Sequence, residues 1–336
     1  MDLSIIVPVY NVEKFIRPCI ESIFNQGLEE DKFEVIIVND GTPDRSMEMI
    51  SDIIGQHGNV TVINQENQSL SVARNNGIAT AKGEYILMPD SDDLLIKNSL
   101  KPLLEKAIET KADLVVADFL TMTDEEIEGF YKEDFQQPEL QFKKYVGEQI
   151  FLEVLNPRQC YVWRTLYRKE FLVTEGLISY PGVRYQDIPF THECYLKANN
   201  CIRTNMLLNI YRNWPGSSTK AYKFDNTKHF ITAIALTWNL RQMEGLSSDI
   251  LYKLEENIFL LFRTMIYHTL HSIKDKNDRC MLMDYINFQA PDLCFTHTIQ
   301  QRLITFMVKK MPHLFINLYY QYAQVVYKKK YKIWKK

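Results

Sequence analysis

Paired cysteines, glycine-rich phosphate loops and long apolar runs are all missing from this sequence. Its six cysteines, Cys19, Cys160, Cys194, Cys201, Cys280 and Cys294, are scattered without a C-x-x-C spacing. In a chain too large to need staples they read as reduced core thiols. No run of about 18 apolar residues exists, so no segment is expected to span a membrane. Met1-Asp2-Leu3-Ser4 has no positive leader, so no signal peptide is expected and the cytoplasm follows. Neither GxGxxG nor the P-loop pattern occurs, which excludes the dinucleotide fingerprint and the Walker phosphate loop. Acidic residues vanish near the end. From Arg302 to Lys336 there are nine Lys or Arg and no Asp or Glu, leaving 30 basic against 42 acidic residues elsewhere. With a net charge of −3 the whole chain has no nucleic-acid signature. A basic tail on an acidic body implies a separate role for the tail.

What is present begins with alternation. Leu3 to Val9 is a continuous apolar run, which predicts a buried parallel strand with Pro8 near its end. Asn11 is then read as the cap of a helix striped by Val12, Phe15, Ile16, Cys19, Ile20, Ile23 and Phe24, kinked at Pro18. Phe33 to Val38 is a second strand, ending in Asn39-Asp40-Gly41-Thr42-Pro43-Asp44, with Asp44 read as a helix cap. Asn59 to Ile63 is a third. Leu70 to Ala81 predicts a helix in which Gly77 needs close backbone packing, since glycine there costs about 1 kcal/mol relative to alanine. Gly83 is read as the helix stop.

Tyr85 to Met88 predicts another buried strand, and at its end stand Asp90, Ser91, Asp92 and Asp93. Unpaired carboxylates at that density are costly to bury. The strand must therefore end at an open site, where ligands of open α/β sheets sit. Two aspartates flanking a serine suit a divalent cation with hard oxygen ligands. Asp93 alone reads equally as the cap of a helix starting near Leu94 or Lys97. A helix from about Asn98 to Thr110 and a strand from Asp113 to Ala117 complete a doubly wound α/β half.

From Thr121 to Glu139 the chain is acidic and reads as a solvated loop. Trp163, Tyr185 and Trp214 are candidates for stacking on a ligand, or for core packing. Asp187 precedes a helical stripe, with Pro189 suited to its first turn. Tyr211 to Thr219 reads as a phosphate-holding loop or a plain one. Past Phe224 glycine becomes rare, and Ile258, Leu261, Phe262, Met265 and Ile266 mark a helical appendage. His268 and His271 are taken as structural or surface histidines.

Five motifs in one order carry a resemblance: Ser4-Ile5-Ile6-Val7-Pro8-Val9-Tyr10-Asn11, Val38-Asn39-Asp40-Gly41, Leu70-Ser71-Val72-Ala73-Arg74-Asn75-Asn76-Gly77, Gly83-Glu84-Tyr85-Ile86 and Asp90-Ser91-Asp92-Asp93. Together they resemble the family 2 inverting glycosyltransferases, over residues 1–118 and more thinly to about 220. The resemblance implies a GT-A fold with a mostly parallel central sheet and a C-terminal helical extension. It divides the chain into a nucleotide-sugar half (1–118), an acceptor-side half (119–224) and a helical extension with the basic tail (225–336).

The resemblance also implies roles. Asp40 would read the uracil edge of a UDP-sugar, with Asn39 in place of the family's usual preceding Asp. Pro8, Tyr10, Asn11, Arg74, Asp90 and Ser91 would line the donor. Asp92 would hold Mg²⁺ or Mn²⁺, and Asp187 would be the general base, with Gln186 where the family has an acid. Acceptors would be glycans or lipid-linked saccharides. Met307 to Tyr327, apolar and aromatic and followed by the lysines of 328–336, reads either as an amphipathic helix lying on an anionic inner membrane face or as a helix packed on the body with a solvated lysine end. Two rivals stand beside this reading. A sugar nucleotidyltransferase would want a glycine-rich loop that Pro8 to Glu13 lacks. A non-catalytic nucleotide-sugar or glycan-binding scaffold would be indifferent to Asp187→Asn.

Overall fold

The computed structural model describes residues 1–132, 135–214 and 224–334, and of 268, 271 and 325–334 the main chain alone. Two units pack internally: Met1–Gly182 with Phe190–Ser217, and Val183–Pro189 with Ser218–Lys336.

The first unit runs β1 (Leu3–Val9), α1 (Ile16–Phe24), β2 (Phe33–Asp40), α2 (Ser51–Gln56), β3 (Val60–Gln65), α3 (Leu70–Thr80), β4 (Tyr85–Leu87) and β5 (Leu94–Leu95). It continues with α4 (Leu100–Thr110), β6 (Leu114–Met122), α5 (Asp124–Phe130), β7 (Phe142–Val146), β8 (Thr165–Arg168), α6 (Lys169–Thr174), α7 (Asp187–Lys197, of which the residues from Phe190 on belong to this unit) and β9 (Asn200–Arg212). The strands form one sheet in the order β3-β2-β1-β4-β8-β6-β9-β5, with β7 also on β9. From β3 to β4 every ladder is parallel, and β6–β9 is parallel again. β8 is antiparallel to both β4 and β6, and β5 and β7 are antiparallel to β9. The sheet is therefore mixed beyond its parallel first half.

The apolar strands are buried on both faces because helices cover both. Leu3, Ile5, Val7 and Val9 join Ile16, Cys19, Ile20 and Ile23 of α1 and Leu100, Leu103 and Leu104 of α4 in one core. Each such side chain contributes about 1.5–3 kcal/mol on burial. Ile6 points the other way, as strand alternation requires. There a Cβ on Gly77 of α3 would lie 2.3 Å from Ile6 Cγ2, so the predicted close packing is real. Gly83 is needed for a different reason than a helix stop. α3 already ends at Thr80, and a Cβ on Gly83 would lie 2.4 Å from the β1 main chain at Leu3 and Ser4.

Several local expectations are corrected. α1 starts at Ile16, so Asn11 is no cap; it adopts a left-handed φ of 56° in the preceding loop. Pro18 falls in the first turn of α1, where its absent N–H leaves no helical bond unmade. No helix begins at Leu94: that residue opens β5, and α4 starts at Leu100. The acidic stretch is not all loop. β6 extends to Met122, and α5 follows with a capping box between Thr123 and Glu126. That T-x-x-E spacing was a legible start signal. Cys19, Cys160, Cys194 and Cys201 are buried free thiols, Cys280 is half-buried and Cys294 is exposed.

The second unit holds α8 (Phe224–Asn239), α9 (Ser248–Ser272), α10 (Lys276–Gln289), α11 (Ile299–Lys310) and α12 (Pro312–Trp334). The predicted stripe Ile258, Leu261, Phe262, Met265 and Ile266 is buried on α9. Phe295 packs its ring against Trp238, Phe259 and Phe262 at 5.8, 4.9 and 5.5 Å. Among the described residues no helix is long and apolar enough to cross a membrane. The side chains of His268, His271 and Lys328 to Lys336, and the loop from Pro215 to Thr219, lie outside the described residues.

Candidate active site

Because β1, β2 and β4 are parallel, their carboxyl ends share one edge, with Val9 opposite Asn39. Pro8 stands beyond the β1–β4 ladder, which stops at Ile5 and Leu87, so its missing N–H leaves no gap on that side. At these ends stand Asp40, the last residue of β2, and beyond β1 and β4 Tyr10 and Asn11 and the turn Asp90 to Asp93.

That turn closes on itself through Asp93 N–H to Asp90 O at 3.1 Å. Carboxylate oxygens of Asp90, Asp92 and Asp93 lie within 4.8 Å of one another. Each acid has its own neighbours. Arg74, buried on α3, donates Nη2 to Asp90 Oδ1 at 2.6 Å. Trp214 donates Nε1 to Asp92 Oδ2 at 3.3 Å. The Arg212 main-chain N–H donates to Asp93 Oδ1 at 2.8 Å, and its Nε to the Asp92 carbonyl at 2.9 Å. Arg212 also pairs with Asp124 and lies over the Phe15 ring, 5.0 Å from its centroid. Ser91 is buried within the turn.

The electrostatics follow from crowding. Burial pushes the Asp93 carboxyl well above the usual range, Asp92 and Asp90 push it further, and the Arg212 N–H opposes them. Burial raises Asp90 as well, with Arg74 opposing and Asp92 adding to the rise. Asp93 Oδ2 is buried with no hydrogen-bond partner. An acidic trio with an orphaned oxygen fits a hard cation, which takes oxygen ligands and offsets their repulsion. The expectation that Asp93 caps a helix is replaced: it anchors the turn to β9.

Asp40 is 3% exposed and braces the β3–α3 connection. Its Oδ1 accepts from Gln65 Nε2 at 2.7 Å and Gln68 N at 2.8 Å, and its Oδ2 from Ser69 N at 3.1 Å. A carboxylate oxygen accepts about two bonds, so Oδ2 keeps one acceptor direction. Gly41 has φ +64°, and a Cβ there would meet Asn67 N at 2.9 Å. Asn39 uses both ends of its amide, donating to Asn64 Oδ1 at 2.9 Å and accepting from Thr42 N at 3.0 Å. An aspartate could not make the first of these bonds.

The β1–α1 loop is clamped to the loop after β2. Main-chain N–H groups of Asn11, Val12 and Glu13 donate to Thr42 Oγ1, Ser46 Oγ and Asp44 Oδ2 at 2.8, 3.0 and 2.8 Å. Asp44 thus serves a neighbouring loop rather than capping its own helix, although it also accepts from Ser46 N at 3.1 Å. Tyr10 is left 48% exposed at this edge.

Asp187 falls in the segment grouped with the second unit and is the first residue of α7, with Pro189 in the first turn as expected. Gln186 beside it is buried, and its Oε1 has no hydrogen-bond partner. Tyr185 packs against Phe230 at 4.8 Å. Trp163 is 3% exposed and stacks on Tyr161 and Tyr211 at 4.9 and 5.8 Å, so core packing describes it.

The structure therefore gathers Arg74, Asp90, Ser91 and Asp92 around one turn, with Asp40 as the last residue of β2 and Asn11 on the loop after β1 at the same strand edge. Sequence reasoning missed Arg212. Its signal was faint: one basic residue in a polar stretch, roughly 120 positions from the acids it holds.

Residues 4–172 match the family described as glycosyl transferase family 2. The chain is 35% identical over 229 residues to the uncharacterized glycosyltransferase EpsJ of Bacillus subtilis (strain 168), covering 65% of this chain and 63% of that protein. It is 29% identical over 286 residues to the glycosyltransferase GlyG of Streptococcus pneumoniae, covering 83% of this chain and 93% of that protein. Among solved structures, S. aureus TarS 1–349 in complex with UDP-GlcNAc superposes with a TM-score of 0.67 at 19% identity, over 98% of this chain and 92% of that one. The shared architecture is the GT-A type with C-terminal helices.

Proposed function

The chain belongs to glycosyl transferase family 2, and from there we propose an inverting transferase that moves a sugar from a UDP-linked donor to a hydroxyl of a glycan or lipid-linked acceptor. The observation that carries this reading is the Asp90–Asp92–Asp93 cluster beyond the end of β4. TarS, which shares the fold, is the protein with UDP-GlcNAc bound, and that supports the choice of uridine.

In this reading Asp40 offers its remaining Oδ2 acceptor direction to the uracil edge. Pro8, Tyr10 and Asn11 line the base and ribose from the clamped loop. Asp90 and Ser91 face the ribose, and Asp90 holds the Arg74 guanidinium for the diphosphate. Asp92 would hold Mg²⁺ or Mn²⁺, which supplies charge neutralisation for a departing diphosphate. Asp187 accepts the proton of the acceptor hydroxyl as its oxygen bonds to C1. The C1–O bond to the diphosphate breaks on the opposite face, which inverts the anomeric centre. General-base help of this kind contributes about 10²–10⁴-fold. The basic end of the chain suits contact with an anionic membrane surface, placing the reaction at the inner face where lipid-linked acceptors would be met.

A thermal-shift panel of nucleotide sugars with and without Mn²⁺ tests the donor assignment. UDP-sugars with metal should raise the melting temperature more than their GDP or CDP counterparts. Absence of stabilisation by every UDP-sugar would overturn it.

A further inference from the structure

Single exposed hydrophobics are ordinary on a protein surface, but clustered ones are not. Among the described residues, seven of the twenty large hydrophobic side chains that stand exposed fall between Ile299 and Tyr322. They are placed by helical spacing. On α11, Ile299, Leu303 and Phe306 are 85%, 59% and 53% exposed. They lie within about 60° of one another on a helix of 3.6 residues per turn. On α12, Leu314, Leu318 and Tyr322 are 49%, 50% and 62% exposed. They share an arc of about 80° by the same geometry. Meanwhile Val308, Phe315, Ile316 and Ala323 of the same helices are buried, so each helix already has an inward apolar face. Each outward stripe is apolar surface that the fold of the unit does not use.

Charge identifies the occupant. Arg302 and Lys310 are exposed on α11, beside its stripe. From Leu293 to Lys336 the sequence holds nine Lys or Arg and no acid. Next to α11 a hollow of about 270 Å³ is lined by Phe295, Phe306, Arg302, Lys309 and Lys310. A soluble polyanion would need the cations but not the exposed leucines. Asp284 beside His313 and Asp292 near Lys309 offset only part of this charge, so a second copy would bring a like excess that opposes pairing. An anionic bilayer satisfies both: apolar side chains enter the acyl boundary while the cations meet headgroups.

We propose that α11 and α12 dock on an anionic lipid surface through Ile299, Leu303, Phe306, Leu314, Leu318 and Tyr322. This rests on the peripheral placement proposed above and assigns the insertion to the apolar stripes rather than to the lysine tail. No membrane crossing is involved, in keeping with the absence of a spanning helix among the described residues.

The test is co-sedimentation of the full chain with phosphatidylglycerol–phosphatidylcholine vesicles, and with phosphatidylcholine vesicles alone. The chain should pellet with the first and stay in solution with the second. The variant Leu303→Glu, Phe306→Glu, Leu318→Glu, checked by thermal melt, should lose association about tenfold or more. Truncation after Tyr327 should weaken it while leaving a measurable remainder. If the unaltered chain ignores anionic vesicles, both the peripheral placement and the stripe assignment fall. If it binds and the folded triple variant binds equally, the stripe assignment alone falls. A dimer in solution that this variant makes monomeric would show a second copy on the face and also overturn the proposal.

Discussion

Arg212 holds Asp93 and the turn beside it with two groups of different kinds: its main-chain N–H reaches Asp93 Oδ1 and its side-chain Nε reaches the Asp92 carbonyl. The turn is thus fixed from β9, although it belongs to the β4 end. Arg212→Leu keeps the main-chain bond and removes the side-chain one. Loss of such an orienting partner typically weakens metal affinity or activity 10–100-fold. Titration of Mn²⁺ against the variant should show a weaker metal response. An unchanged response together with unchanged transfer would mean that Arg212 serves folding alone.

Asp92 and Asp187 should separate by assay. Asp92→Asn should abolish the Mn²⁺-dependent part of the thermal shift, and chelation by EDTA should mimic it in the unaltered chain. Asp187→Asn should melt like the parent and retain UDP-sugar binding while transfer falls about 10²–10⁴-fold. Full transfer by Asp187→Asn would move the proton acceptor to another residue.

Gly77 and Ile6 are coupled by contact. Gly77→Ala gains about 1 kcal/mol of helix propensity but forces a methyl against Ile6, and overpacking costs about 1–3 kcal/mol. The net expectation is a lowered melting temperature; Ile6→Ala lowers it further by leaving a cavity in the core, and the two together should cost less than their sum, read from a double-mutant cycle. Gly83→Ala should be worse, because its added methyl would meet main chain rather than a side chain.

Asp44 gives a pH signature. Burial pulls its carboxyl up, but hydrogen bonds from Ser46 and Thr42 and from the Glu13 and Ser46 N–H groups outweigh it and hold it down at about 2. A folded value below the unfolded one means stabilisation is fully present above pH ~4 and is lost as the pH falls through about 2. Thermal melts should show this loss in the parent, and Asp44→Asn should flatten it while lowering stability at neutral pH. Parallel pH curves for the two would show that the clamp contributes nothing through ionisation.

The parallel half was legible because each strand is a short apolar run closed by turn residues, and each helix carries a stripe. The three aspartates were legible as a cluster at a strand end, and the structure brings their carboxylate oxygens within 4.8 Å of one another. β8 was not: Thr165 to Arg168 is brief and sits in a stretch mixing aromatics with basic residues, so nothing local announces a strand antiparallel to both neighbours. Nor was the true task of Asp93 or Asp44. Both were read as caps because capping is a local rule, whereas their partners, Arg212 and Glu13, come from elsewhere in the chain.

β8 and β9 also set when the site can exist. All five motifs lie before residue 94, and synthesis delivers them first. Yet the second edge of β4 is covered only by β8, and the aspartate turn, held early by Arg74, gains its tie to β9 only when Arg212 arrives. A nascent chain that has emitted every motif still presents an open strand edge, a template for pairing with other chains. These pairings of high sequence separation slow folding. The enzyme's vulnerable interval is therefore late, between the exit of its last motif and that of β9, where a chaperone or a cold-slowed ribosome would have the most effect.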